Sequence, residues 1–584
     1  MKKMSYTIMP LLAVATGLGG CLPGEELSRG EFGLETTIQE PSATMRSILS
    51  LVAPEGLGAA ERSAHVRGFG EVIARERRDT PPRPGTTIDD YDLGQVLSHS
   101  SSVDGWAYTR GNLVDSKVYV QGEEIYGAHQ RLIENATEEV LFQSYIWESG
   151  SEPVARILQG LSNLEQRKRA EIEAPDSGCA AVRPLPARCR PAVVKLILNH
   201  GPTALSVVGS LMGTKVVDCA ALARQDVSDL HLDPRYVQAE VLTFAHKLAG
   251  SNHAKSIVAD GQVAQVTGAN AQHFNDRAIG WYDLGFVVAG DVARALRQDL
   301  INGILRAREG TEQDVDDRLG QTEKKELSRA LARAAGVPYE RPFETIFPLE
   351  RVFSPEQAVS GVGIALLSRN AEGSVALDLP FASLFFGQAS GPNNNTQNRG
   401  FQAAFYGARR VIRLQTPNLN DDAVIRALAQ AARRGVRLEL LLSRKFNCKQ
   451  ENLPGQGGQN ARGILRLRQA IGPGALGRLD VRWFSVLDSA GNPRVVVDNP
   501  DGQLPADRPQ NSHAKFLSID GALSIVGSAN MDTQSWNHAR ELNLAIDSPE
   551  VTLAWEAQTF DKTFASALPV PPADLLEENI HCRR

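Results

Sequence analysis

HAKSIVADGQVAQVTGAN, from His253 to Asn270, and HAKFLSIDGALSIVGSAN, from His513 to Asn530, are two versions of one pattern. Each has Lys two residues after the His, Asp-Gly seven and eight after it, and Asn seventeen after it. Asp260-Gly261 and Asp520-Gly521 lie between alternating apolar runs, the composition of a tight β-hairpin turn. His and Lys two residues apart then project from one face of the incoming strand, with Asn270 and Asn530 on or just beyond the returning strand. Imidazole, ammonium and amide converge on one small volume. An isolated His or Lys would be read as a satisfied polar residue at a strand end. The repetition makes His253, Lys255, His513 and Lys515 candidates for chemistry, whereas a turn alone explains Asp260 and Asp520.

The surroundings of the two copies share a grammar. In the second half RVIRLQTPN (Arg410 to Asn418) reads as a strand, DDAVIRALAQAARRG as a helix from about Asp421 to Gly435, and VRLELLLS as the next strand. Strand, helix, strand implies a parallel pair with a crossover helix. In the first half a helical stretch, EEIYGAHQRLIENA, precedes the buried strand VLFQSYIWES, and VVKLILNH (Val193 to His200) is a second strand. An internal duplication is the economical reading. It divides the chain into a leader, 1–20, a tether, 21–105, with some helix near 43–78, a first half, 106–305, a connecting region, 306–395, and a second half, 396–575. Order is expected from about Lys117. Residues 291–345 read as charged, solvated connecting helix, and 392–400 and 449–509 as loops near the second motif.

With 584 residues, 42% apolar and 22% charged, the chain can bury a large core. A net charge of -6 and a pI near 6.1 count against nucleic acid as the partner, leaving only a local basic groove for it. Lys2 and Lys3, an apolar run from Tyr6 to Thr16, and Leu18-Gly19-Gly20-Cys21 form an export signal. That run is too short to span a bilayer, and no second one approaches spanning length. The segment resembles the leaders of bacterial lipoproteins, which implies Cys21 as an acylated mature N-terminus and a membrane anchor, in the outer membrane if the cell is Gram-negative; the alternative is an ordinary secretory signal with an incidental cysteine and a secreted protein. Cys179 and Cys189 bracket a Pro-rich stretch where an oxidising compartment favours a local disulfide. No cysteine has the spacing of a zinc site.

The paired motif resembles that of the phospholipase D superfamily, in which HxKxxxxD occurs twice, followed by a Gly-Ser or Gly-Gly element and an Asn. The similarity covers roughly residues 110–565. It implies two duplicated α/β sandwich halves forming a pseudo-dimer with one active site at their interface, and no metal or cofactor. It also implies a phosphodiester substrate, attacked by one histidine while the other protonates the leaving alkoxide, through a phosphohistidine. Lys255, Lys515, Asn270 and Asn530 would hold the phosphate. Glu541, in NHARELN, and Asp283, in GWYDLGF, match the acidic position after each motif and would orient the histidines. Ser528 is a further candidate for phosphate contact. The first copy departs from the pattern there, with Thr267-Gly268. Trp281 and Trp536 flank the site in sequence, and core packing explains both.

The leading expectation is a phospholipase D or phosphatidyltransferase at a membrane surface, working as a monomer. The alternatives are a secreted nuclease, a cardiolipin-synthase-like transferase, and a non-catalytic lipid-binding lipoprotein. The last of these predicts a degraded motif, and both copies are intact.

Overall fold

The strands of both motif hairpins are buried along their whole length, which places them inside a sheet rather than at its rim. The computed structural model describes residues 41–52, 108–179, 185–199, 218–244, 251–276, 280–307, 343–369, 395–452, 456–497 and 511–576. The first half contains β1 (Tyr108–Asp115), β2 (Tyr119–Val120), β3 (Glu139–Ser144), β4 (Ala192–Asn199), β5 (Val237–Phe244), β6 (Ser256–Ala259), β7 (Val263–Thr267) and β8 (Leu284–Ala289). β9 (Ala358–Arg369) follows. The second half contains β10 (Val411–Thr416), β11 (Arg437–Leu442), β12 (Leu479–Trp483), β13 (Ser485–Leu487), β14 (Pro493–Val495), β15 (Phe516–Ile519), β16 (Leu523–Gly527), β17 (Glu541–Asp547) and β18 (Leu568–Pro569).

The sheet runs β18-β12-β11-β10-β15-β16-β17-β9-β1-β8-β7-β6-β3-β4-β5. Read outward from the central β9–β1 pair, β17, β16, β15, β10, β11, β12 on one side repeat β8, β7, β6, β3, β4, β5 on the other. In both arms the outer three strands are parallel and the motif hairpin runs antiparallel to them. Alternate side chains enter different cores: Leu438, Leu440 and Leu442 of β11 pack under the second half's outer helices, while Leu441 faces inward. The inner core draws on both halves, with Phe286 of β8 and Phe516 of β15 in one cluster.

Several sequence expectations change. Residues 358–369, assigned to the connecting region, form the strand that joins the two arms. The helix Asp291–Ala307 is not solvated: Leu296, Leu300 and Ile301 are fully buried in the inner core. Thr396–Gly407 is a helix capped by Asn395, where a loop was expected, because the Asn395 side chain accepts from Asn398 N–H. The stretch 449–509 contains the helix Asn460–Ile471 and strand β12, whose signal is diluted by surrounding glycines. The first strand starts at Tyr108, ahead of Lys117. Within the tether, Ala43–Val52 is a helix whose Met45 and Ile48 lie in the second half's core, so this part is docked. Cys21 and the leader lie outside the described residues. Cys179 and Cys189 form the expected disulfide, and Cys448 is disulfide-bonded as well.

Both motif turns have positive φ at Asp and Gly, +49° and +62° at 260–261 and +58° and +67° at 520–521, which suits a right-twisted hairpin. The aspartates do more than turn the chain. Asp260 accepts from the backbone N–H groups of Thr137, Glu138 and Glu139 at 2.7 to 2.8 Å, and Asp520 from those of Arg409, Arg410 and Val411 at 2.7 to 3.0 Å. Each carboxylate fastens the hairpin to the start of the neighbouring parallel strand, β3 or β10. Asp260→Ala strands three donors at a buried strand start, and is expected to lower unfolding free energy by about 2–4 kcal/mol. Denaturant unfolding of the variant measures it.

Candidate active site

Each motif histidine lies just ahead of its hairpin, beyond the carboxyl end of a parallel strand, where open α/β sheets place their sites. There the halves grip each other through the backbone. His253 N–H donates to Arg540 O at 2.9 Å and Arg540 N–H to Ser251 O at 2.7 Å. On the other side His513 N–H donates to Tyr282 O at 2.9 Å and Tyr282 N–H to Asn511 O at 3.2 Å. Arg540 and Tyr282 immediately precede Glu541 and Asp283. The clasp therefore carries each acid across to the opposite half.

The result is a crossed pairing. His253 Nδ1 lies 2.8 Å from Glu541 Oε1, and His513 Nδ1 lies 2.8 Å from Asp283 Oδ2. An ionised carboxylate there places the proton on Nδ1, and in either pair Nε2 is left as the nitrogen that faces the reaction. Each lysine donates to its own histidine's carbonyl, Lys255 Nζ to His253 O and Lys515 Nζ to His513 O, both at 2.5 Å. The four side chains are buried or nearly so, His253 being the most accessible at 14%. The site thus contains His253, Lys255, His513, Lys515, Asp283 and Glu541 together.

The two pairs are not equivalent. Glu541 also accepts from Ser528 Oγ at 2.5 Å and Ser535 Oγ at 2.6 Å. Against the upward push of burial, His253, Lys255 and Ser528 hold its carboxyl down at about 2. Asp283 has its histidine and its neighbour's N–H, Leu284, at 3.1 Å, and burial pushes it up to about 7. Burial and repulsion by Lys255 and Lys515 lower both histidines; Glu541 offsets part of the fall at His253, so His513 falls the further. Lys515 falls to about 8 and Lys255 well below its ordinary value, chiefly through desolvation.

Ser528 was expected at the phosphate. It is instead fully buried behind Glu541, donating to that carboxylate and accepting from Leu542 N–H. Its counterpart is Gly268, where a Cβ would collide with Asp283 Oδ1 and with Lys515. Asn270 and Asn530 border the site at 3% and 6% exposure, each with an Oδ1 that has no partner. Asn530 Nδ2 donates to Asp532 Oδ2 at 2.9 Å. Trp281 is at the site, its ring 4.7 Å from that of His513, with Phe446 stacked at 5.4 Å. Trp536 is core. Tyr145, missed in the sequence, stands beside His253 at 5.3 Å and faces the Lys255 ammonium at 5.5 Å. Ser535 carried a signal, the Asp-x-x-Ser of a helix N-cap at Asp532, but nothing local pointed it at Glu541. Among the described residues no group of three or more His, Cys, Asp or Glu side chains is placed to hold a metal ion.

Gly268→Ala is expected to displace Asp283 from His513. Displacements of about 1 Å at such sites cost on the order of 10²-fold in rate. Phosphodiester turnover should fall by about that factor with the melting temperature little changed.

Residues 403–566 match the model of a family described as "Cardiolipin synthase, PLD-like domain". No curated protein matches the chain. Solved structures of similar outline include phosphatidylserine synthase from Haemophilus influenzae Rd KW20, 14% identical over 79% of this chain and 89% of that one, with a TM-score of 0.46. NucT from Helicobacter pylori is 15% identical over 35% of this chain and 98% of that one, with a TM-score of 0.22. Nuc from Salmonella typhimurium, a phospholipase D family member, is 15% identical over 29% and 87%, with a TM-score of 0.21. Superpositions this loose carry no weight on substrate. The second half thus matches a PLD-like domain, and the motif, strand order and acid of that half are repeated in the first.

Proposed function

We propose that this enzyme cleaves or transfers the phosphatidyl group of phospholipids through a phosphohistidine. The observation that carries the reading is the burial of two lysines and two histidines together, with the lysine pKa values depressed by desolvation despite the nearby carboxylates. A phosphodiester monoanion between them offsets that desolvation and restores both ammonium groups. The match to a domain described by cardiolipin synthase supports the phosphatidyl substrate over nucleic acid, as does the net charge of -6. Disulfides at Cys179–Cys189 and Cys448 support export, and so an anchor at Cys21.

The asymmetry of the pairs divides the roles. The Asp283 carboxyl takes up a proton near pH 7 and backs the Nε2–H of a neutral His513, while Glu541 stays ionised and His253 takes up a proton only below the usual imidazole range. Near neutrality His253 is therefore the free base and the Asp283–His513 pair the acid. His253 Nε2 bonds to phosphorus as the P–O bond to the headgroup breaks, and His513 gives its proton to the departing alkoxide. Water or an alcohol then returns a proton to His513, attacks phosphorus and breaks the P–N bond.

His253→Ala and His513→Ala should each cost at least about 10³-fold in turnover of phosphatidylcholine. With ethanol present the wild type should form phosphatidylethanol. DNA cleavage without phosphatidylethanol would replace the lipid reading with a nuclease. The pH–rate profile provides a separate check. kcat/KM should fall as pH rises through about 7, where the Asp283–His513 pair loses its proton, and fall again below the ordinary imidazole range as His253 protonates. Asp283→Asn should remove the alkaline limb and leave the acidic one.

A further inference from the structure

We propose that the carboxyl-end edge of the second half, centred on the β13–β14 hairpin, is a docking surface for an anionic phospholipid bilayer. The proposal rests on the phospholipid reading of the site. Scattered exposed apolar residues are ordinary on soluble surfaces, so their distribution has to decide. Among the described residues six large apolar side chains are exposed: Ile346, Leu487, Val497, Leu553, Leu568 and Leu576. Leu553 lies beside Gly521, and Ile346 lies between Thr345 and Phe347, which hydrogen-bond Gln262. Those two therefore sit at the turn edge of the sheet, away from the histidines.

The other four gather at the opposite edge. Leu568 is paired with Trp483, the last residue of β12, and its N–H donates to Ser485 Oγ. Leu487 ends β13, directly beyond β12. Val497 bridges Arg444, two residues past β11. Leu576 follows Asp574, whose carboxylate takes both the Arg444 guanidinium at 2.6 Å and Trp483 Nε1 at 2.7 Å. The same loop runs into the site: Asn511 Nδ2 donates to Arg444 O at 3.1 Å, and Phe446 stacks on His513. The apolar rim is thus continuous with the wall of the active site.

Charge on the rim fits an anionic surface. Arg494 is exposed on β14 and Lys445 is half-buried beside Phe446. Asp488, the acid of the hairpin, has its carboxylate turned into its own turn, where it accepts from Ala490 and Asn492 N–H. Leucines at this edge enter the headgroup boundary while the basic residues meet lipid phosphates, an arrangement that binds peripheral proteins to membranes.

The test compares Leu487→Ser/Leu568→Ser with Leu553→Ser, an equally exposed leucine on the other edge. All are made in the full chain with Cys21→Ser, which removes acylation. Binding to phosphatidylcholine–phosphatidylglycerol vesicles is read by co-sedimentation. Turnover is read on those vesicles and on short-chain phosphatidylcholine below its micellar concentration. The double variant should lose roughly tenfold or more in vesicle binding and vesicle turnover. Its soluble-substrate turnover and melting temperature should stay at the parent level, and Leu553→Ser should match the parent throughout. Equal losses in Leu553→Ser would overturn the proposal. So would unchanged vesicle binding by the double variant, or a change only from dimer to monomer on sizing. Vesicle binding does not depend on turnover, so failure of the phospholipid activity and failure of the docking surface are told apart.

Discussion

Crossed carboxylate–imidazole contacts are what the rest of this structure depends on. Glu541 belongs to the second half and serves His253 of the first; Asp283 belongs to the first and serves His513 of the second. Neither half can complete its histidine alone. The central β9–β1 pair, the shared inner core and the backbone clasp at Arg540 and Tyr282 all act to hold that exchange in register. Behind the clasp, Arg540 forms a buried ion pair with Asp299 on the helix Asp291–Ala307, and Arg297, two residues before Asp299, pairs with Glu139 of β3. Losing one partner of such a pair leaves a buried charge uncompensated, at a cost of about 3–5 kcal/mol. The helix is therefore fixed to both halves.

Duplication supplied two similar pairs, and small substitutions made them different. Where the second half has Ser528, the first has Gly268, because the shorter acid Asp283 leaves no room for a Cβ. Where Ser535 donates to Glu541, the corresponding residue is Asn275, which is turned toward Asn270 O. One carboxylate is consequently wrapped in hydroxyls and stays ionised; the other is left to burial and holds a proton near neutrality. Two acid–imidazole pairs that differ in whether the carboxyl holds a proton can work as base and acid at one pH, which two identical ones cannot.

What the sequence revealed followed from how local each signal was. The hairpins were legible because Asp-Gly between alternating apolar residues specifies its own turn, and the crossover helix Asp422–Arg433 because Asp421 caps it and its apolar stripe is regular. The acids were legible as positions but not as partners, since the crossing is a property of the assembled halves. The partner of Ser528 was illegible for a similar reason: its Gly-Ser setting suggested phosphate contact, and only the fold shows its hydroxyl bonded to Glu541. The aspartates of the motif looked fully explained as turn residues. Their second function, binding three N–H groups of a strand more than a hundred residues away, has no local signature. β9 escaped notice because a central strand buried on both faces shows no alternation and its neighbourhood reads as a linker.

The site's position on the sheet links its chemistry to its surroundings. All the reactive side chains lie beyond the carboxyl ends of the parallel strands, and the hairpin turns with their fastening aspartates lie at the other edge. Loops at the first edge are free to vary, because the sheet's register is fixed from the second. The segment after β11 uses that freedom. It sends Phe446 onto His513 and Glu451 under Asn418 and Asn420, while Arg444 ties the C-terminal strand and hairpin into the rim. A single loop thereby shapes the wall of the reaction chamber and the surface around its mouth, so changes in what approaches the enzyme and in what it cleaves can arise from the same few residues without disturbing the crossed pairs behind them.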